Sequence, residues 1–308
     1  MLRFIARRAL HSVLVGFVVL SFVFLAGRMI GDPAQLMLGV EAKPADVENL
    51  REIMGLNDPF IEQYARFIGG AVTGDFGNSF WQKTPALPIV LDRLPATFLL
   101  AGAAMAVAIP FALLSGASAA FWARSKWDDL VRSFSLGGVS IVDFWFGLML
   151  ILVVALGLGW LPTSGYGGLE FLVLPALTLA IKPYGRVTQI VRSSVLDELT
   201  KPYVTAARAK GISEKRVVLV HTSKNAGLPV VTLIGDELSS LLHGAVLVEF
   251  VFGWPGVGFM LVQALERRDL PLIEATVFVM ALIVIVVNLV VDLTYSVLNP
   301  KIDLEVEN

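Results

Sequence analysis

Cysteine is absent from this 308-residue chain. That excludes disulfides, thiolate metal sites and lipid anchors carried on cysteine. Charge is scarce as well: Asp, Glu, Lys and Arg make up 16% of the residues, against about 25% in a soluble domain. So few charges cannot coat a globule. The three histidines, His11, His221 and His243, form no His-Glu-x-x-His pair, and no metal site or catalytic residue is expected. No Gly-Lys dipeptide occurs, so the chain lacks the phosphate-cradling G-x-x-x-x-G-K-[ST] loop with which to hydrolyse ATP itself. The glycines of "FGWPGVG" (252–258) superficially suggest a phosphate loop, but Trp254-Pro255 stiffens the segment, which reads as a turn.

In place of charge the chain has long apolar runs. Residues 9–27, 96–121 and 275–291 contain no Asp, Glu, Lys or Arg, and 134–158 contains only Asp143. Crossing a ~30 Å hydrocarbon core takes about 20 apolar residues in a helix. Two further segments, 171–191 and 229–252, carry a few charges. Between clear spans they read as crossings that line something wet. The expected fold is an all-α integral membrane protein with six transmembrane helices.

Lys and Arg give the orientation. Fourteen fall in 1–8, 122–133, 192–228 and 299–308, against eight in the longer segments 28–95, 159–170 and 253–271. The positive-inside rule puts the first group, and both termini, in the cytoplasm. The run at 9–27 is too long for a signal core and no A-x-A site follows it, so it reads as a retained first span. Residues 1–95 are expected to form that span plus an outer helical loop. In the loop, Val47, Leu50 and Met54 of "KPADVENLREIMGL" lie at helical spacing, and "NDPFIEQYARFIGGAVTGDFGNSFW" offers a second short helix. Residues 96–298 are expected to hold a five-helix core with a cytoplasmic loop at 192–228, and 299–308 a cytoplasmic tail.

That cytoplasmic loop contains a polar island, "YVTAARAKGISEKRVVLVHTSKNAGLP" (203–229). Pro202 suits a first helical position, and a helix over 203–210 follows. Ala206 and Ala207 give it a smooth side that another protein can approach closely. Gly211 ends it in the left-handed conformation. Ser213 then caps a second helix from Glu214 to Ala226, and Leu228-Pro229 marks re-entry into the membrane. A DNA-binding helix-turn-helix fits poorly, because both ends are tied to membrane spans, and no nucleic acid is expected.

The island resembles the coupling ("EAA") loop of ABC importer permeases, most closely the B-type permeases of the dipeptide/oligopeptide/nickel family. "YVTAARAKGIS" and "HTSKNAGLPVVT" look like that family's form of the loop. The resemblance covers nearly the whole chain and includes, in order, "GDPA", "LNDPFIEQYARFI", "RLPAT", "LGWLPTSGYG", "VEFVFGWPGVG" and "NLVVDLTYSVLNPKI". Thr205 stands where the general importer pattern has glutamate, a departure the peptide family shares. The resemblance implies the type I importer architecture in the bacterial cytoplasmic (inner) membrane, and import of peptides or related small polar solutes such as nickel chelates. It implies a C-type partner permease, two cytoplasmic ABC ATPase subunits and an extracytoplasmic substrate-binding protein. No cofactor is implied for this chain; Mg-ATP belongs to the ATPases. Tyr203, Ala206, Ala207, Lys210 and Gly211 are the implied ATPase-coupling residues.

The fifth span carries its own signal. Thr232, Asp236, Ser239, Ser240 and His243 fall on one helical face, with Leu233, Leu241 and Val248 elsewhere. A polar stripe is costly toward lipid, so these residues are expected to line the pore, with Asp143 of the third span contributing and Lys182 and Arg186 as candidate cations. Buried ion pairs that only fix helix packing are the alternative. Gly102, Gly116, Gly137 and Gly147 are candidates for close helix contacts. An ion-coupled secondary transporter is the rival function, though no inverted repeat is visible between the two halves. A membrane enzyme would need a nucleophile with a base, which the scattered histidines do not supply.

Overall fold

In the computed structural model, residues 2–39, 42–213, 216–217 and 222–298 are described, and helix dominates them. The helices, in chain order, are α1 Leu2–Ile30, α2 Pro33–Leu38, α3 Pro44–Ile53, α4 Phe60–Thr73, α5 Ala86–Leu91, α6 Leu94–Phe121 and α7 Lys126–Ser140. Next comes α8 Asp143–Leu150, which runs on as a π-helical segment, Ile151–Gly157. Then follow α9 Leu169–Leu199, α10 Pro202–Ala209, α11 Ser223–Val251, α12 Val257–Glu266 and α13 Leu270–Leu298. Among the described residues no strand forms beyond one isolated bridge, Asn78 to Pro85.

Among the described residues, two helical stretches, Ala86–Phe121 and Leu270–Val291, are long and apolar enough to cross a membrane. Two bent pairs reach that standard together: Lys126–Ser140 with Asp143–Gly157, at 107°, and Pro229–Leu241 with Gly244–Val251, at 52°. The first bend corrects the expectation of one continuous span over 134–158. Ile141 and Val142 sit in extended backbone (ψ 139° and 126°), and the Ser140 hydroxyl bonds back to the Leu136 carbonyl at 2.9 Å. β-Branched residues accept that extended geometry readily. Asp143 then opens α8, where a carboxylate suits the positive end of the helix dipole. A second correction concerns the end of the loop helix near Ala226: α11 begins at Ser223 and runs on through Pro229. The predicted helix from Glu214 to Ala226 falls partly on 214–215 and 218–221, outside the described residues.

The chain divides into two compact units, 1–97 with 255–289, and 98–254 with 290–308. This grouping differs from a division at 95/96 because residues 255–289 join the N-terminal segment. In the first unit, Phe24 of α1 meets Tyr64 and Phe67 of α4 at 5.3 and 5.4 Å between ring centroids. Phe76 bridges Phe67 and Phe278 of α13 at 6.5 and 5.2 Å. Such pairs add about 0.5–1.5 kcal/mol each beyond their buried area. Both helices expected in the outer loop are present as α3 and α4, and Val47 is buried as its spacing requires. Asp269, 1% exposed, ties the loop to the start of α13. Its carboxylate accepts from the Ser79 hydroxyl at 2.5 Å and the Trp81 amide at 3.2 Å. Nothing in the sequence singled it out.

In the second unit α9 is the hub, packing on α7, α8 and α11. Lipid is as apolar as leucine, so close backbone approach must supply the attraction between helices. A Cβ on Gly116 would lie 2.7 Å from the Thr188 carbonyl oxygen, and one on Gly147 would lie 3.0 Å from the Phe252 ring. These two of the four candidate glycines do sit at close contacts. Gly102 and Gly137 have nothing within 4 Å.

Candidate functional site

The island forms the helix its sequence dictates. Pro202 takes the first helical position of α10 behind Lys201 in extended backbone. Gly211 has φ +76°, the left-handed conformation expected of it. The Gly211 amide donates to the Arg208 carbonyl at 2.9 Å and the Ile212 amide to the Ala207 carbonyl at 3.3 Å. This is the Schellman pair that satisfies the last carbonyls of a helix. Beyond it, the amides of Arg216 and Val217 donate to the Ser213 carbonyl at 2.9 and 3.0 Å.

One face of α10 is anchored and the other is open. Val204 is fully buried, and the Tyr203 hydroxyl donates to Glu198 Oε2 at 2.7 Å. Lys201 pairs with the same carboxylate, which holds the ammonium pKa above the usual lysine value. Tyr203 therefore fastens α10 to the end of α9. Ala206 and Lys210 are exposed and Ala207 is half-buried. Sequence reasoning missed Glu198, which is 8% exposed and reads in sequence as one more surface charge.

Within the apolar helices, two ion pairs cross α9. Lys182 Nζ lies 2.9 Å from Asp143 Oδ2, and Arg186 Nη1 lies 3.0 Å from Glu237 Oε1. Both candidate cations are thus paired, but Arg186 takes Glu237 and not Asp236. The carboxylates are the deeper members. Glu237 is 2% exposed against 45% for Arg186, and Asp143 is 20% exposed against 35% for Lys182. Asp143 Oδ1 is buried with no hydrogen-bond partner. A third pair, unforeseen in sequence, joins Asp128 of α7 to Arg192 of α9 by two bonds of 2.5 and 2.7 Å. Asp128 also accepts from the Arg124 amide at 2.9 Å.

The polar stripe of α11 divides. Thr232, Asp236 and Ser240, four residues apart, are exposed together, whereas Ser239 is buried. Leu241 and Val248 are buried, as the face assignment requires, and Leu233 packs against the α9 core. The His243 side chain lies outside the described residues. No cluster of His, Asp or Glu able to hold a metal ion occurs among the described residues.

The α10 helix is thus anchored by one face and open on the other, and the α11 helix bears an exposed polar row. Comparison with known proteins supplies the family. Residues 108–304 match the family model "binding-protein-dependent transport system inner membrane component", and 1–101 match the N-terminal model of such membrane components. The chain is 39% identical over 304 residues to the glutathione transport system permease protein GsiC of Escherichia coli (strain K12), covering 98% of this chain and 99% of that one. It is also 39% identical over 320 residues to the oligopeptide transport system permease protein AppB of Bacillus subtilis (strain 168), covering 98% and 100%. These matches remove the ion-coupled secondary transporter. The chain belongs to the inner-membrane permease components of binding-protein-dependent ABC importers, in the branch that includes the peptide permeases.

Proposed function

We propose that this permease imports peptides or related small polar solutes, working as the B-type subunit beside a homologous C-type permease. Six spans, drawn from α1, α6, the bent α7–α8 pair, α9, α11 and α13, carry it across the membrane with both termini in the cytoplasm. The loop 192–228 meets one of two cytoplasmic ATPase subunits, which bind and hydrolyse Mg-ATP; the chain itself takes no cofactor. A loaded extracytoplasmic binding protein delivers the solute from outside. The single observation that carries this reading is α10. It is fixed below by Val204 and Tyr203, open above at Ala206, and closed by a left-handed glycine. In this reading ATP binding swings α10, and α9 transmits the movement because Glu198 ties the two together. The exposed row Thr232, Asp236 and Ser240 lines the solute's path, and Asp143, paired with Lys182 and 20% exposed, contributes to it.

The test is uptake by cells carrying the complete transporter. Labelled di- and oligopeptides are expected to accumulate, to fall to background when the ATPase subunits are inactivated, and to persist when the proton gradient alone is dissipated with ATP maintained. Uptake that survives loss of the ATPases contradicts the assignment.

A further inference from the structure

At the boundary of the first unit's apolar helices lies a cavity of about 350 Å³, lined among others by Gly27, Arg28, Asp32, Arg51, Gln63 and Glu274. Its charges are unequally satisfied. Arg51 is paired with two carboxylates, through Nε and Nη2 on Asp32 and Nη1 on Glu48. Arg28 donates to Gln63, and its guanidinium lies over the rings of Phe24 and Phe60 at 4.9 and 5.1 Å. No carboxylate pairs with it among the described residues. Glu274, on α13, receives no hydrogen bond and makes no ion pair among the described residues. Its carboxylate rests against α1 where a side chain is missing: a Cβ on Gly27 would lie 3.3 Å from Glu274 Oε1. The cavity therefore presents one cation and one carboxyl group that do not neutralise each other.

We propose that this cavity binds the headgroup of a zwitterionic phospholipid with a primary ammonium, of the phosphatidylethanolamine type. Arg28 takes the phosphate, with N–H donors left over from Gln63, and Glu274 takes the ammonium in charge-assisted hydrogen bonds. The position selects a lipid over a soluble zwitterion. Arg28 directly follows the uncharged run 9–27, and Glu274 directly precedes the run 275–291. Both thus stand where hydrocarbon meets headgroups. Phe22 and Leu25 of α1, 69% and 51% exposed, offer apolar surface to acyl chains on the same helix. The bound lipid supplies the partner that a carboxyl group at the edge of a span otherwise lacks, since such a group is costly when left unpaired.

The experiment measures lipid retained by the intact purified transporter, by mass spectrometry, after exchange into defined lipids. Phosphatidylethanolamine is expected to be retained about tenfold over phosphatidylcholine, whose methylated ammonium cannot donate, and over phosphatidylglycerol, which has none. Glu274→Gln should shrink the preference over phosphatidylcholine to about twofold, and Arg28→Gln should weaken retention of every phospholipid. Gly27→Val, which crowds the cavity while keeping Glu274, should also lose the bound lipid, and it decides the matter if Glu274→Gln does not accumulate. Equal retention of the three lipids by the wild type overturns the proposal, as does an undiminished preference in Glu274→Gln. Displacement of the lipid by millimolar glycylglycine overturns it in favour of a soluble zwitterion.

Discussion

A Gly211→Val variant is expected to insert and accumulate normally yet lose about tenfold or more of its ATP-driven uptake. Nothing lies within 4 Å of the position a Cβ would take, so the substitution meets no neighbour. The cost is conformational: φ is +76°, and leaving glycine for an L-residue there costs roughly 1–2 kcal/mol, most for a β-branched one. The backbone relieves that strain by giving up the bonds from Gly211 to Arg208 and from Ile212 to Ala207, which frays the last turn of α10. Since 1.4 kcal/mol is a factor of about ten, a modest local cost is enough to depopulate the docked geometry. Gly211→Asn is the control, because asparagine tolerates the left-handed region, and it should retain most activity. Ala207→Trp should reproduce the valine phenotype by bulk. ATPase activity without uptake, or a transporter that loses its ATPases on purification, is the signature. Normal uptake by both Gly211→Val and Ala207→Trp contradicts the coupling role.

The second large effect concerns the ion pair between α9 and α11, and it is asymmetric. Removing one member of a buried pair costs about 3–5 kcal/mol, because an unpaired charge is left behind. Arg186→Leu strands Glu237, which is 2% exposed, whereas Glu237→Leu strands Arg186, which is 45% exposed and long enough to reach water. Arg186→Leu is therefore expected to abolish accumulation of the protein. Glu237→Leu should reduce it less, and the double variant Arg186→Met/Glu237→Leu should recover much of the level. Immunoblots of membrane fractions measure this directly. Asp236 is exposed and has no such structural debt, so Asp236→Leu should accumulate normally and fail in transport. Because the chain has no native cysteine, single cysteines map the same face. Positions 232, 236 and 240 should react with water-soluble thiol reagents, and 239 and 241 should not. Labelling without that pattern, or normal transport by Asp236→Leu, leaves packing as the only role of the stripe.

The local structure of α10 was legible because proline and glycine act within a few residues: Pro202 starts the helix and Gly211 ends it whatever surrounds them. Spacing likewise revealed α3 through Val47, Leu50 and Met54. The bend at Ile141-Val142 was not legible, because hydropathy is continuous through it and only backbone angles change. Partner choice was also hidden. Asp236 and Glu237 are adjacent in sequence but about 100° apart around a helix. Which one meets Arg186 depends on the rotation of α11 against α9, and that rotation is set by packing such as Gly235 against Val291. Asp128 and Asp269 were missed for the same reason: each looks like a solvated charge until its partner, Arg192 or Ser79, arrives from elsewhere in the fold. Glu198 was missed although Lys201 and Tyr203 lie only three and five residues on, because the turn from α9 into α10 is what folds them back onto it.

Coupling as proposed requires that the exposed face of α10 touch an ATPase. An Ala206→Cys transporter, treated with a short bifunctional thiol reagent, tests it in one gel, because any adduct on this chain comes from the single introduced thiol. Ser164→Cys, exposed in the segment assigned to the opposite side of the membrane, is the control. A cross-link is expected from position 206 to the ATPase subunit, with a yield that changes when ATP is trapped by vanadate, and none from position 164. No cross-link at 206, or an equal one at 164, contradicts that contact.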